Sequence, residues 1–165
     1  MTRRRPVIGI MGAGKASERS LTAAHRLGRL VAERGWIVLT GGRPEGVMAA
    51  ACAGAKAVPG SVTLGILPST AEGVGPDVDI AVFTGLGEAR NAVNVLTSDV
   101  VVACGVEGPG TASEVALALR SDKPVLLLAA STEALAFFRQ VAGEVRLHQA
   151  ETPEDALRVL DELLD

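Results

Sequence analysis

Hydrophobic positions along this chain fall into two kinds of run. Short stretches are apolar at consecutive positions, such as Val7-Ile8-Gly9-Ile10-Met11, Val100-Val101-Val102-Ala103-Cys104 and Val125-Leu126-Leu127-Leu128. Longer stretches carry apolar residues every three or four positions. The first kind reads as strands buried on both faces and the second as amphipathic helices packed on a sheet. Their alternation from end to end predicts a doubly wound α/β architecture, a parallel sheet with helices on both sides.

The predicted elements follow in order. A strand at 6–11 leads to a helix at 17–34, in which Leu21, Ala24, Leu27 and Val31 share a face and Gly35 ends the last turn. A strand at 36–40, a turn through Gly41-Gly42-Arg43-Pro44, an Ala-rich helix at 45–58 and a strand at 61–67 come next. Residues 68–78 carry Pro, Gly and acidic side chains without periodicity, which suits either a flap over a site or a disordered connector. Beyond it the pattern gives a strand at 79–83, a helix at 87–98, a central strand at 99–104, a glycine-rich turn at 105–110 and a helix at 111–120. A strand at 124–129, a helix at 132–141, a short strand near 145–148 and a helix at 153–164 complete it, the last opened by Thr152, Pro153 and Asp155 as cap, first and third positions.

Composition narrows the function more than the fold. At 165 residues, 48% hydrophobic and 21% charged, the chain suits one globular domain. With 19 Gly, 26 Ala, three Phe, one Trp and no Tyr, its core must be aliphatic, and the aromatic platforms that stack single-stranded bases are missing. Sixteen Lys and Arg against nineteen Asp and Glu leave a net charge of −3, without the basic surplus of a nucleic-acid binder. The cluster Arg3-Arg4-Arg5 is followed by an apolar run broken by Lys15, Glu18 and Arg19, too short for a membrane span and without the A-x-A-like cleavage site of a signal peptide. The expectations are a cytoplasmic protein with neither nucleic-acid nor membrane partners. Cys52 and Cys104 lack metal or redox spacing, and His25 and His148 stand alone, so neither a metal site nor a resident cofactor is expected.

In such a sheet, ligands collect where glycine-rich turns follow strand ends and helix N-termini offer backbone N–H groups to anions. Three turns qualify: Gly12-Ala13-Gly14-Lys15, Gly41-Gly42, and Gly105-Val106-Glu107-Gly108-Pro109-Gly110-Thr111. In the first, Gly9, Gly14 and Lys15 imitate a P-loop, but Ala16 stands where Mg²⁺ needs a hydroxyl and Gly9 falls within the strand. Gly12-x-Gly14 also imitates a dinucleotide fingerprint, yet Ser17 replaces its third glycine and no acidic residue closes the second strand. Two readings of Thr111-x-x-Glu114 stand at this point. It is a capping box in which Glu114 returns to the backbone of Thr111, or a phosphate cradle with a carboxylate one turn further on.

Read together, Gly41-Gly42-x-x-x-Gly46-Val47-Met48, Thr84-Gly85-Leu86-Gly87-Glu88-Ala89-Arg90-Asn91, Asp99 and Gly108-Pro109-Gly110-Thr111-x-x-Glu114 resemble, in order and spacing, the Lonely Guy (LOG/SLOG) family. The likeness spans nearly the whole chain and is strongest to the branch that includes molybdenum cofactor carrier proteins. The resemblance implies a Rossmann-like doubly wound parallel sheet in three α/β/α layers, and a homodimer or higher homo-oligomer. It also implies a small phosphorylated ligand, a nucleotide or a pterin. Characterised hydrolases of the family split the N-glycosidic bond of nucleoside 5′-monophosphates. On that pattern Gly108, Gly110 and Thr111 match the phosphate-binding turn, and Arg90 and Glu114 the catalytic pair. Gly12, Gly14, Gly41 and Gly42 would complete the ligand site. A salt bridge at a surface or interface is the alternative for Arg90.

Two departures matter. Glu107 stands where the family pattern has glycine and would repel a phosphate unless it points away or meets a cation. Asn91 follows the arginine where the hydrolases have lysine. Two functions therefore remain in view: a phosphoribohydrolase-like enzyme with Glu114 as its carboxylate, and a non-catalytic carrier or sensor of a phosphorylated pterin or nucleotide.

Overall fold

A computed structural model describes residues 4–143 and 147–165. Seven strands, β1 (Val7–Met11), β2 (Ile37–Thr40), β3 (Val62–Leu67), β4 (Ile80–Phe83), β5 (Val100–Cys104), β6 (Val125–Leu128) and β7 (Leu147–Ala150), form one sheet in the order β4-β3-β2-β1-β5-β6-β7. Every neighbouring pair is parallel. Between and after the strands lie α1 (Glu18–Glu33), α2 (Gly46–Lys56), α3 (Arg90–Thr97), α4 (Pro109–Arg120), α5 (Thr132–Ala142) and α6 (Pro153–Leu164), with a 3₁₀ turn at Gly87–Ala89.

The sheet separates two apolar layers. Ile8, Ile10, Val38, Val100, Val102, Leu126 and Leu128 face α1, α2 and α6, whereas Val7, Met11, Leu39, Val101, Ala103, Val125 and Leu127 face Val95 of α3, Val115 and Ala118 of α4 and Phe138 of α5. This alternation on two covered faces is why β1, β5 and β6 read as unbroken apolar runs. The result is the Rossmann-like three-layer α/β/α architecture that the sequence implied.

Most element boundaries agree with the pattern within a residue or two, and three differ for physical reasons. The predicted helix at 87–98 opens as the 3₁₀ turn, with Gly87 at φ 58°, and becomes α-helical only at Arg90. Helix α4 starts at Pro109 rather than 111, because proline is suited to a first helical position. Strand β7 lies at Leu147–Ala150, later than expected, set by its register with β6 (Leu126 against His148); Val145 lies outside the described residues.

Small residues let α1 and α2 nearly touch. A methyl group on Gly28 would lie 2.1 Å from the Ala51 carbonyl oxygen, and one on Gly54 1.8 Å from that of His25. The Ala-rich helix thus packs within the fold. Cys52 and Cys104 are buried free thiols, and burial pushes the Cys104 thiol up to about 12, so it stays protonated and behaves as a small hydrophobe.

Chain order reverses between β1 and β5, where β1 connects outward through β2 on one side and β5 outward through β6 on the other. The crevice beyond the C-terminal ends of these strands is the favoured ligand position in a doubly wound sheet.

Candidate functional site

A cleft of about 230 Å³ opens at that crevice. Its floor is Met11 and the loop Gly12-Ala13-Gly14, one wall is Gly41, Arg43, Glu45 and Met48, and the other is Glu88, Arg90, Asn91, Gly108 to Thr111 and Glu114. Of the sequence-derived site residues, Gly12, Gly14, Gly41, Arg90, Gly108, Gly110, Thr111 and Glu114 are brought together. Gly42 is not. It turns away at φ 74°, packs against Leu67 and Gly65, and accepts from Gly75 N–H, so it shapes the second turn from behind.

Local close packing builds the floor. Gly46, at φ 58°, opens α2 directly against Gly14, where a Cβ would lie 2.1 Å from the Ala13 carbonyl oxygen, which also accepts from Val47 N–H at 3.1 Å. Gly12 in turn lies under Val47, whose side chain would meet a Cβ there at 2.5 Å. The spacing Gly41-Gly42-x-x-x-Gly46-Val47 thereby fixes the first loop to the start of α2.

Helix α4 presents an uncapped N-terminus to the cleft. Gly108 occupies the cap position and offers no side chain, Pro109 has no N–H, and Gly110 and Thr111 lie in the first turn, where N–H groups lack helical acceptors. This overturns the capping-box reading. Thr111 is the third helical residue rather than the cap, and the Glu114 carboxylate accepts instead from Asn94 Nδ2 at 2.9 Å. An open N-terminus carries a partial positive charge equivalent to roughly half an elementary charge.

Arg90 faces the same space. It is 6% exposed, its Nε has no hydrogen-bond partner, and among the described residues no carboxylate closes an ion pair with it. No surface salt bridge within the described residues thus accounts for Arg90. Burial lowers its pKa, while the charges of Glu114 and Glu88 act the other way. A Cβ on Gly41 would lie 2.3 Å from Arg90 Nη1, so a larger residue there would displace the guanidinium. Glu114, also 6% exposed, is pushed above the usual carboxylate range by burial, against the Asn94 hydrogen bond and the Arg90 charge.

Glu107 answers the question raised by its sequence position. Its carboxylate accepts from Ser17 N–H at 2.8 Å, Ser17 Oγ at 2.6 Å and Ser20 Oγ at 2.8 Å, all at the N-terminus of α1. It thus points away from the cleft; desolvation is the largest single effect and raises its pKa, but the three hydrogen bonds together outweigh it and lower the pKa.

Sequence reasoning missed several parts of the site. Arg43 reaches Glu45 at 3.9 Å and Glu88 at 4.0 Å across the mouth, a loose set of exposed charges. Asn94 and Ser113 join α3 to α4 through Glu114 and Asn91. Asn94 lies three residues after Asn91, on the same helix face, and that spacing was the available signal. Among the described residues no group of three or more His, Cys, Asp or Glu is placed to hold a metal ion, and no helix is long and apolar enough to cross a membrane.

Comparison with known proteins matches this architecture. The molybdenum cofactor binding protein of the phototrophic bacterium Rippkaea orientalis superposes with a TM-score of 0.94 at 44% identity, over 99% of this chain and 100% of that one. The molybdenum cofactor carrier protein of Chlamydomonas reinhardtii superposes with a TM-score of 0.90 at 47% identity, over 97% and 99%. An uncharacterised protein of Archaeoglobus fulgidus is 40% identical over 121 residues, 73% of this chain and 78% of that protein. The model of the SLOG cluster4 family matches residues 5–157, and the chain belongs to that family.

Proposed function

We propose that this protein binds a small phosphorylated pterin of the molybdenum cofactor type and holds it without turnover, as a carrier. The observation that carries this reading is Arg90, a buried guanidinium whose Nε has no hydrogen-bond partner and that closes no ion pair among the described residues, sharing a cleft with the uncapped start of α4. A desolvated charge is costly unless something pairs with it, and a phosphate supplies both the charge and the acceptors. Gly108, Gly110 and Thr111 would hold the phosphate through backbone N–H groups, with Gly12, Gly14 and Gly41 leaving room for the rest of the ligand. The names of the two structural relatives support the pterin. The outward turn of Glu107 removes the sequence-level objection to an anion here.

The test is to mix the protein with molybdenum cofactor released from a donor enzyme and measure molybdenum and phosphate retained after gel filtration. Wild type retains both and Arg90→Ala retains neither. Failure of the wild type to retain either overturns the reading.

One observation favours a second reading, hydrolysis of a nucleoside 5′-monophosphate to base and ribose 5-phosphate: Glu114 is a buried carboxylate that lines the same cleft. It could stabilise positive charge developing on the ribose or activate water. Release of adenine from AMP by wild type and not by Glu114→Gln would establish it. We also propose the homodimer that the family resemblance implies, which light scattering at micromolar concentration checks.

A further inference from the structure

Two side-chain hydrogen bonds join α3 to α4 beside the cleft. Asn91 Nδ2 donates to Ser113 Oγ at 3.1 Å, and Asn94 Nδ2 to Glu114 Oε1 at 2.9 Å. The network fixes which way the Asn91 amide faces. Ser113 donates its only hydroxyl proton to the Gly110 carbonyl at 2.7 Å, so toward Asn91 it can only accept. Asn91 must therefore turn its NH₂ to Ser113 and its Oδ1 elsewhere.

Among the described residues no donor reaches that oxygen, and it is not among the buried orphaned atoms, so it is open to solvent in a residue that lines the cleft. Glu114 repeats the arrangement. Its Oε1 is taken by Asn94, and Oε2 has no donor among the described residues, in a residue that lines the same wall. Asn91 and Asn94 lie three apart on α3, and their partners Ser113 and Glu114 are adjacent on α4, so both free oxygens belong to the same α3–α4 contact in residues that line the cleft. These two oxygens accept hydrogen bonds, on the wall that also carries the phosphate donors of Arg90 and the start of α4.

We infer that Asn91 Oδ1 and Glu114 Oε2 form an acceptor pair that reads the two-donor edge of a 2-amino-4-oxopyrimidine, the ring shared by pterins and guanine. Such an edge presents a ring N–H and an exocyclic NH₂ side by side. Adenine presents one NH₂ beside a ring nitrogen lone pair, which would face an acceptor oxygen. Hypoxanthine keeps the ring N–H but lacks the amino group. A site of buried acceptors discriminates strongly against a ligand that leaves one of them unpaired. Asn91 is then a specificity-determining residue, and Ser113 a positioning residue that acts through it. The inference rests on the anion reading of the cleft and selects the ring system attached to that anion.

The test is equilibrium titration of the protein with GMP, IMP, AMP and inorganic phosphate, on wild type, Arg90→Ala, Ser113→Ala and Ser113→Thr. Wild type binds GMP at least about tenfold more tightly than AMP, with IMP between them. Ser113→Ala, at an exposed position, frees the Asn91 amide to turn and draws the GMP to AMP ratio toward one. Ser113→Thr retains the hydroxyl and the ratio. Neopterin monophosphate distinguishes the two sources of the edge: tighter binding than GMP assigns a pterin, weaker binding a guanine nucleotide. Equal affinity for GMP and AMP, each lost in Arg90→Ala, would overturn the edge reading while leaving the anion site standing. Undiminished binding in Arg90→Ala, or no binding of any probe to wild type, would overturn both.

Discussion

Glu107 accepts from both the backbone N–H and the hydroxyl of Ser17, at 2.8 and 2.6 Å, and so binds the turn after β5 to the first turn of α1. The contact satisfies an orphan donor at a helix N-terminus and places a negative charge at the positive end of that helix. It also anchors the residue next to Gly108, the first residue of the proposed phosphate turn. Glu107→Ala is expected to lower stability by about 1 kcal/mol, in the range of a lost helix cap. The Glu107 pKa is depressed in the fold, so its contribution is present above the unfolded value, about 4.3, and is lost as pH falls through the folded one. Urea midpoints of wild type and Glu107→Ala, measured from pH 7 down to pH 3, should therefore converge at the acid end.

Arg90 is expected to trade stability for binding. A buried guanidinium that closes no ion pair among the described residues is a cost that the rest of the fold must offset, and an apolar side chain of similar length removes that cost. Arg90→Met should therefore melt no lower than wild type, and by this argument higher, in anion-free buffer. Adding phosphate reverses the order. A ligand at about 100 times its Kd stabilises the folded state by about 2.7 kcal/mol, and only wild type gains it. Thermal melts with and without phosphate check both halves, and a phosphate-induced rise in Arg90→Met would contradict the assignment.

The sequence carried the strand and helix order because β1, β5 and β6 are covered on both faces and the helices on one, which leaves distinct periods in the pattern. It also brought eight of the nine nominated site residues to one crevice, since the motif spacing follows strand ends. Long-range hydrogen bonding was less legible. Thr111-x-x-Glu114 satisfies the local rule for a capping box, but Pro109 begins the helix two residues earlier and Asn94, 20 positions away in sequence, takes the carboxylate. Glu107 finds its partners 90 positions away at Ser17. Gly42 belongs to a motif that reaches the cleft through Gly41 and Met48 and leaves Gly42 behind them.

Close packing of α1 on α2 gives a test that is independent of any ligand. The Cβ of a side chain added at Gly54 would lie 1.8 Å from the His25 carbonyl oxygen, a backbone atom that cannot move without displacing α1. Alanine normally favours a helix over glycine by about 1 kcal/mol, but overpacking a tight contact costs typically about 1–3 kcal/mol and wins here. Gly54→Ala should lower the urea midpoint. The reverse exchange at the preceding position, Ala53→Gly, is the control: it adds no atoms to the helix contact and should lose about 1 kcal/mol of helix propensity. A Gly54→Ala protein as stable as wild type would show that the two helices are further apart.

Glu114 should reveal its burial in the pH dependence of stability. Desolvation holds its pKa above the unfolded value, about 4.3, so the fold is relatively favoured while the carboxyl is protonated. The sign follows from linkage. That advantage is complete below the unfolded pKa and is lost progressively as pH rises through the raised folded pKa, because the buried charge is disfavoured in the fold. Glu114→Gln keeps the side-chain oxygen that accepts from Asn94 Nδ2 but removes the titration. The variant should match wild type near pH 3.5 and become the more stable of the two as pH rises to 7. Saturating ligand should shrink that gap, because donors on a 2-amino-4-oxopyrimidine would pair with the ionised carboxylate of wild type more strongly than with the neutral amide. A gap that is flat with pH would mean that Glu114 is solvated in the folded protein, and would remove the desolvated acceptor on which its selectivity depends.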